Sequence, residues 1–389
     1  MSKSYVNKDI LNMPKSGIRK FFDIASHMDD VVSLGVGEPD FETPWNIREA
    51  AISTLEKGRT SYTANQGLME LRSAICGYLS EKFNINYDPE KEIVCTVGAS
   101  EGIDIAMKAI TEIGDEILVV EPCFVSYKPC VTMAGGIPVV ISTKMENDFR
   151  LQPEELEAKI TPKTKALLIS YPNNPTGAIM DREDLEKLVP IIIKHDLLVI
   201  SDEIYAELTY GTKHVSIAEF PGMKERTIVL NGFSKAFAMT GWRLGYAAGP
   251  AEIIDNMNKI HQYIIMCAPT TSQYAGVEAL TCENRDDFIE EMAEAYDIRR
   301  RLMVSEFNRM GLECFEPKGA FYVFPSIKST GMTSEEFCEK LLMQEKVATV
   351  PGHAFGESGE GHIRCSYAYS VENIKWALSK IAMFVSSLK

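Results

Sequence analysis

Residues 231–246 read NGFSKAFAMTGWRLGY. The stretch follows an apolar run, TIVL at 227–230, and sets Lys235 among small and aromatic residues with Arg243 eight positions on. A lysine is ordinarily a solvated surface residue. Lys235 instead comes just after a segment that reads as a buried strand, so the sequence around it must supply a reason for an amine there.

Working outward, TIVLN is one of seven short apolar runs. The others are EIVCT (92–96), EILVV (116–120), PVVIS (138–142), ALLIS (166–170), LLVIS (197–201) and GYAAG (245–249). Helical patterns such as SEGIDIAMKAI (100–110) and DREDLEKLVPIIIKH (181–195) lie between them. Near-continuous apolar strands alternating with helices predict βαβ units and a mainly parallel sheet covered on both faces. Ligands of such sheets collect at the carboxyl ends of the strands.

A long amphipathic pattern spans 285–310, with Phe288, Met292, Tyr296 and Phe307 on its apolar face. A shorter α+β region follows, from AFYVFPSI (320–327) to WALSKIAMFVSSL (376–388). The expected organisation is an N-terminal arm with part of a small domain over 1–45, a large domain over 46–285, and a linking helix with a small C-terminal domain over 286–389. In the first segment, SGIRKFFDIASH (16–27) reads as a helix and VVSLGVGEPDFETP (31–44) as a strand entering a turn.

Composition narrows the function. The 389 residues are 45% hydrophobic and 24% charged, with a formal net charge of −15, the balance of an ordinary globular protein. The acidity disfavours nonspecific nucleic-acid binding. Nine cysteines without a CxxC suit reduced thiols and a cytoplasmic setting better than a disulfide framework. No segment reads as a secretory signal or membrane span. The six histidines show no metal-ligand spacing, so no metal is expected.

Four features follow strand ends: VGAS (97–100) opening a helix, YPNNPTG (171–177), DEIY (202–205) and GFSK (232–235). Each has a plain structural reading. NNPTG suits a turn, Asp202 a helix cap, GAS a capped loop, and Arg243 a surface cation. Neighbouring parallel strands would nonetheless bring all four to one rim.

One chemistry uses them together. A lysine in a partly dry pocket loses basicity and can attack an aldehyde to form a Schiff base. Pyridoxal 5'-phosphate (PLP) offers that aldehyde. Its ring nitrogen calls for a buried carboxylate such as Asp202, and its phenolate for donors such as Asn174 and Tyr205. Its phosphate calls for a helix N-terminus, hydroxyls and a cation, met by Gly98, Ala99, Ser100, Ser234 and Arg243. Phe124, just past EILVV, can cover the ring.

YPNNPTG, SDEIYAELTY (201–210) and SKAFAMTGWRLGY (234–246), in this order, resemble the class I/II aminotransferases, PLP enzymes of fold type I. The likeness runs over nearly the whole chain, through GVGEPDFETP (35–44), SYTANQGLMELR (61–72), TVGASEGI (96–103), GAFYVFP (319–325), VPGHAFG (350–356) and IRCSYA (363–368). It is greatest for the bacterial subgroup acting on aspartate, aromatic and N-acetyl-diaminopimelate substrates. The resemblance implies an α/β fold with a large PLP-binding domain and a smaller α+β domain.

It also implies roles by position. Lys235 would carry the cofactor and move the Cα proton, and Asp202 would pair with the pyridinium. Arg364 would clamp the substrate α-carboxylate, with Gly37 approaching it through backbone. Tyr62 would reach the phosphate of the neighbouring subunit in a homodimer. One departure stands out: many relatives have serine three positions before the lysine, where this chain has Gly232.

The expected reaction moves an amino group between an L-amino acid and a 2-oxo acid such as 2-oxoglutarate. The alternatives are a PLP-dependent C–S β-lyase and a PLP-sensing regulatory module. Acidic or N-acylated donors come ahead of aromatic ones. A distal carboxylate needs a second cation, from the partner subunit or from Lys15, Arg19 or Lys20 in the arm.

Overall fold

The computed structural model describes residues 5–13, 17, 28 and 30–388. Apart from Gly17, the helix expected over 16–27, with Arg19 and Lys20, and Lys15 before it, lie outside the described residues. The strands are β1 Val32–Ser33, β2 Ile93–Thr96, β3 Glu116–Glu121, β4 Ile137–Ser142, β5 Thr164–Ser170, β6 Leu198–Asp202, β7 Thr227–Gly232, β8 Gly245–Ala248, β9 Tyr322–Val323, β10 Val347–Ala348, β11 Val350–Pro351 and β12 Ile363–Ser366.

Seven of them, in the order β2-β8-β7-β6-β5-β3-β4, form one sheet. They are the seven apolar runs of the sequence. Only β8 opposes its neighbours in this sheet: it pairs antiparallel with both β2 and β7, while the β3–β4, β3–β5, β5–β6 and β6–β7 pairs are parallel.

Alternation along the strands sorts their side chains between two helical layers. Val94, Val119, Leu168, Ile200 and Leu230 share one core with residues of the helices Gly98–Ile110, Tyr127–Met133 and Ala251–Ile264. Cys95, Val229 and Tyr246 face the helices Met69–Phe83 and Thr270–Thr281, while Leu118, Leu167 and Val199 face Arg182–Lys194. Both faces are therefore dry, which is why the strands carry no polar alternation. Asp181 starts the Arg182–Lys194 helix as its cap, accepting from the Asp184 N–H.

The helix Arg285–Met310 matches the expected span. Ile289, Met292, Tyr296, Arg300, Met303 and Phe307 are buried along it, and Gly311 ends it at φ +85°. Its core partners include Phe321, Phe337 and Phe384. Beside it, β11, β12 and β9 form a small antiparallel sheet, and β1 pairs in parallel with β10, tying residues 32–33 to the C-terminal region. Among the described residues, no helix is long and apolar enough to cross a membrane.

Candidate functional site

The carboxyl ends of β2, β3, β5, β6 and β7 deliver their following loops to one cavity of about 460 Å³. Gly37, Ala99, Ser100, Phe124, Asn174, Asp202, Tyr205, Ser234, Lys235, Arg243 and Arg364 all line it. The four motifs expected to converge on one rim do so.

Asp202 is the last residue of β6, in register with Ser170 and Leu230 of the flanking strands. It shares the Ile200 side of the strand. Its Oδ2 accepts from Tyr127 Oη at 2.7 Å, and its Oδ1 from the Ile204 N–H at 3.2 Å. Burial raises the carboxyl to about 6, although the Tyr127 and Ile204 hydrogen bonds favour the charged form. Among the described residues its hydrogen-bond donors are both neutral, and no cation pairs with it.

Lys235 lies three residues beyond β7. Its Nζ donates to the Gly37 carbonyl at 2.6 Å, and lies 5.7 Å from the ring centre of Tyr205 and 5.6 Å from that of Phe321. Burial lowers the amine to about 8, opposed by Glu38 and assisted by the Arg364 and Arg243 cations. A large share of such amines is unprotonated, hence nucleophilic, at mildly alkaline pH.

Arg364, on β12, is buried. Its Nη1 donates to Asn174 Oδ1 at 2.9 Å and its Nη2 to the Gly35 carbonyl. The guanidinium stacks 4.5 Å from the ring centre of Tyr322 and 4.8 Å from that of Phe355. Among the described residues its Nε is buried with no hydrogen-bond partner. Asn174 is aimed by its neighbour: Asn173 Oδ1 accepts from the Thr176 N–H and hydroxyl, fastening the turn after β5.

The opposite end is a backbone cradle. Gly98, at φ +74°, opens the helix Gly98–Ile110, and a Cβ there would fall 2.6 Å from Arg243 Nη2. A Cβ on Gly245 would fall 2.6 Å from the Ala99 nitrogen. Both positions have to be glycine for the helix N-terminus and Arg243 to meet. Arg243 itself adopts φ +53°, and its Nη1 donates to the Thr240 carbonyl at 3.0 Å.

Gly232, the departure noted in the sequence, pairs with Gly245 across the sheet. A Cβ there would come 2.9 Å from Gly245 Cα, so serine does not fit that strand. Phe124 packs edge-on against Tyr127, with ring centres 5.7 Å apart. Tyr62 does not join this cavity and is 77% exposed.

Sequence reasoning missed Tyr127, Tyr322, Glu38 and Thr240. Tyr322 shares a 2.8 Å hydrogen bond with the Tyr205 hydroxyl and underlies Arg364. Tyr127 and Tyr322 are both at most 1% exposed, and an aromatic in an apolar run carries the signal of a core residue. Their phenols, like that of Tyr205, are held above the ordinary range by burial and remain donors.

Comparison with known proteins agrees with this geometry. Residues 29–381 match the model of the aminotransferase class I and II family. An aspartate aminotransferase of Pyrococcus abyssi is 50% identical over 374 residues, covering 96% of each chain. An aromatic-amino-acid aminotransferase of Thermococcus litoralis is 45% identical over 375 residues, again 96% of each chain. The structure of an aspartate aminotransferase from Thermus thermophilus with maleate superposes with a TM-score of 0.94 at 38% identity, over 98% of this chain and all of the other. These relatives favour amino-group transfer over the lyase reading. The chain belongs to the class I and II aminotransferases.

Proposed function

We propose that the cavity binds PLP and transfers the amino group of an L-amino acid to a 2-oxo acid such as 2-oxoglutarate. The observation that carries this reading is the meeting of Lys235, Asp202 and Arg364 in one cavity. Three features support the fit to PLP and an amino-acid substrate. Asp202 is a buried anion with only neutral donors hydrogen-bonded to it. The glycine cradle at Gly98 brings Arg243 to a helix N-terminus, an arrangement suited to a phosphate. Arg364 retains a buried, unpartnered Nε.

In this reading Asp202 would lie at the ring nitrogen and stabilise its proton. Tyr205 and Asn174 would donate to the ring oxygen, Phe124 would cover the ring, and Gly98, Ala99, Ser100, Ser234 and Arg243 would hold the phosphate. When bound, PLP supplies an aldehyde for a lysine amine and a protonated ring that draws electron density from the substrate Cα. Lys235 Nζ would anchor the group and serve as the base for the proton at the substrate Cα. Arg364 reads the α-carboxylate with a planar fork, and Gly37 approaches it through backbone.

The same proposal includes a homodimer. Tyr62, Tyr263, Ile264, Ile265 and Met266 are exposed, and Asn65 Nδ2 donates to the Met266 carbonyl at 2.8 Å, joining the two segments. An apolar surface of this kind suits a partner subunit, with Tyr62 serving the partner's phosphate site. Nine free cysteines support a reducing, cytoplasmic setting. The domain division proposed is 1–45, 46–285 and 286–389, with the linking helix joining the two larger parts.

The cations lining the cavity, among the described residues, are Lys235, Arg243 and Arg364. A distal carboxylate therefore draws its counter-charge from elsewhere, so acidic, N-acylated and aromatic donors all belong in the test. That test is a panel of amino acids, each in a single half-reaction followed by the change in cofactor absorbance, with 2-oxoglutarate in the return half. Turnover of one donor group supports the reading; no spectral change with any donor defeats it.

A further inference from the structure

Among the described residues five charged groups line the cavity, and four of them have a task in the proposed reaction. Asp202, Arg243, Arg364 and Lys235 have been accounted for; Glu38 has not. Its Oε2 accepts from Thr240 Oγ1 at 3.0 Å. Thr240 lies on the loop that leads from Lys235 to Arg243. Glu38 directly follows Gly37, whose carbonyl takes the Lys235 amine at 2.6 Å.

The segment carrying Glu38 is fastened to the same loop a second time. Thr43 Oγ1 donates to the Ala238 carbonyl at 2.7 Å and accepts from Trp242 Nε1 at 3.0 Å. Asp40 receives Arg299 Nη1 on both oxygens at 2.8 Å. Residues 37–43 thus form a strap that sets the Gly37 carbonyl against the Lys235 amine and the Glu38 carboxylate in the same cavity.

We infer that Glu38 is a positioning residue, whose carboxylate holds the free Lys235 amine in its protonated, parked state against the Gly37 carbonyl. The inference rests on the proposed function, because only an amine that is alternately bound and free needs such a rest position. The groups facing Lys235 are known from each side. Arg364 on β12 and Arg243 at the cradle oppose its charge, and Asp202 at the end of β6 favours it. The rings of Tyr205 and Phe321 flank it without ionising. Glu38 is the strap's cavity-lining anion, and its charge favours the protonated amine. It is also solvent-exposed, so its effect is screened and modest.

The test uses the full-length protein without bound cofactor. PLP is added, and the rate of its covalent attachment is followed by absorbance from pH 6 to 10. Parallel measurements use Glu38→Gln, Thr240→Val and Lys235→Ala. Glu38→Gln should move the midpoint to lower pH and speed attachment at pH 7 about threefold, the equivalent of roughly half a pH unit. Thr240→Val, which frees Glu38 without removing its charge, should shift the midpoint less. Lys235→Ala should show no attachment. An unchanged midpoint in Glu38→Gln overturns the role of Glu38 and leaves the proposed function standing. Attachment that persists in Lys235→Ala overturns both. Should Glu38→Gln not fold, an unshifted midpoint in Thr240→Val overturns the inference.

Discussion

Asp202→Asn should make the protein more stable and a poorer catalyst at once. In the folded chain the carboxyl is raised to about 6 by burial, against about 3.9 in an unfolded chain. A carboxyl with a raised folded value binds its proton more tightly in the native state. Its ionisation therefore costs nothing below about pH 4, and the cost grows between pH 4 and 6 and is complete above that. Two units correspond to about 3 kcal/mol at pH 8, and the same linkage gives about 2 kcal/mol at pH 5.5. Asparagine is isosteric, keeps an oxygen for the 2.7 Å bond from Tyr127, and never ionises. Denaturant unfolding of the cofactor-free protein should show Asp202→Asn gaining up to these amounts, with the larger gain at pH 8. The half-reaction with the best donor should slow by at least about 100-fold, the loss of roughly 3 kcal/mol of transition-state stabilisation. Equal stability of the two proteins at pH 8, together with an undiminished half-reaction, would refute the reasoning.

Three further outcomes are expected. Arg364→Lys keeps the charge but loses the fork; kcat/KM should fall about 100-fold for every donor and for 2-oxoglutarate alike, with PLP affinity unchanged, and a loss confined to acidic donors would show that Arg364 reads the distal group instead. Gly98→Ala forces a Cβ to 2.6 Å from Arg243 Nη2 at φ +74° and should weaken PLP binding about tenfold or more, measured by titrating the cofactor-free protein. Sedimentation at assay concentrations should find a dimer, and a fully active monomer would exclude the shared site built around Tyr62.

Much of the large sheet was legible in the sequence because parallel strands buried on both faces leave unbroken apolar runs. All seven runs became strands of that sheet. The reversed direction of β8 was not legible, since GYAAG has the same composition whichever way it runs. The helix Arg285–Met310 announced itself by its period and length, yet Arg300 on its buried stripe did not. That guanidinium is compensated by Asp297, one turn back on the same helix, and by Glu316, a partner that only the folded chain reveals. The two-residue strands β9, β10 and β11 are too short to leave any pattern.

The site divides in the same way. Lys235, Asp202, Asn174 and Arg243 stand in motifs whose residue types match a chemical need. Tyr127 and Tyr322 look like core aromatics, and their hydroxyl partners come from 75 and 117 positions away in sequence. Glu38 stands in GVGEPDFETP, where the sequence suggests no task for it, because its relation to Lys235 spans nearly two hundred residues of chain.

The central claim is that Lys235 carries PLP, and one measurement tests it most directly. The protein is incubated with PLP, reduced with borohydride, digested, and its peptides are weighed by mass spectrometry. The account predicts a single stoichiometric adduct on Lys235, in the peptide containing NGFSKAFAMTGWR, and none in Lys235→Ala. An adduct of equal yield in that variant, or a principal adduct on any other lysine, would contradict it.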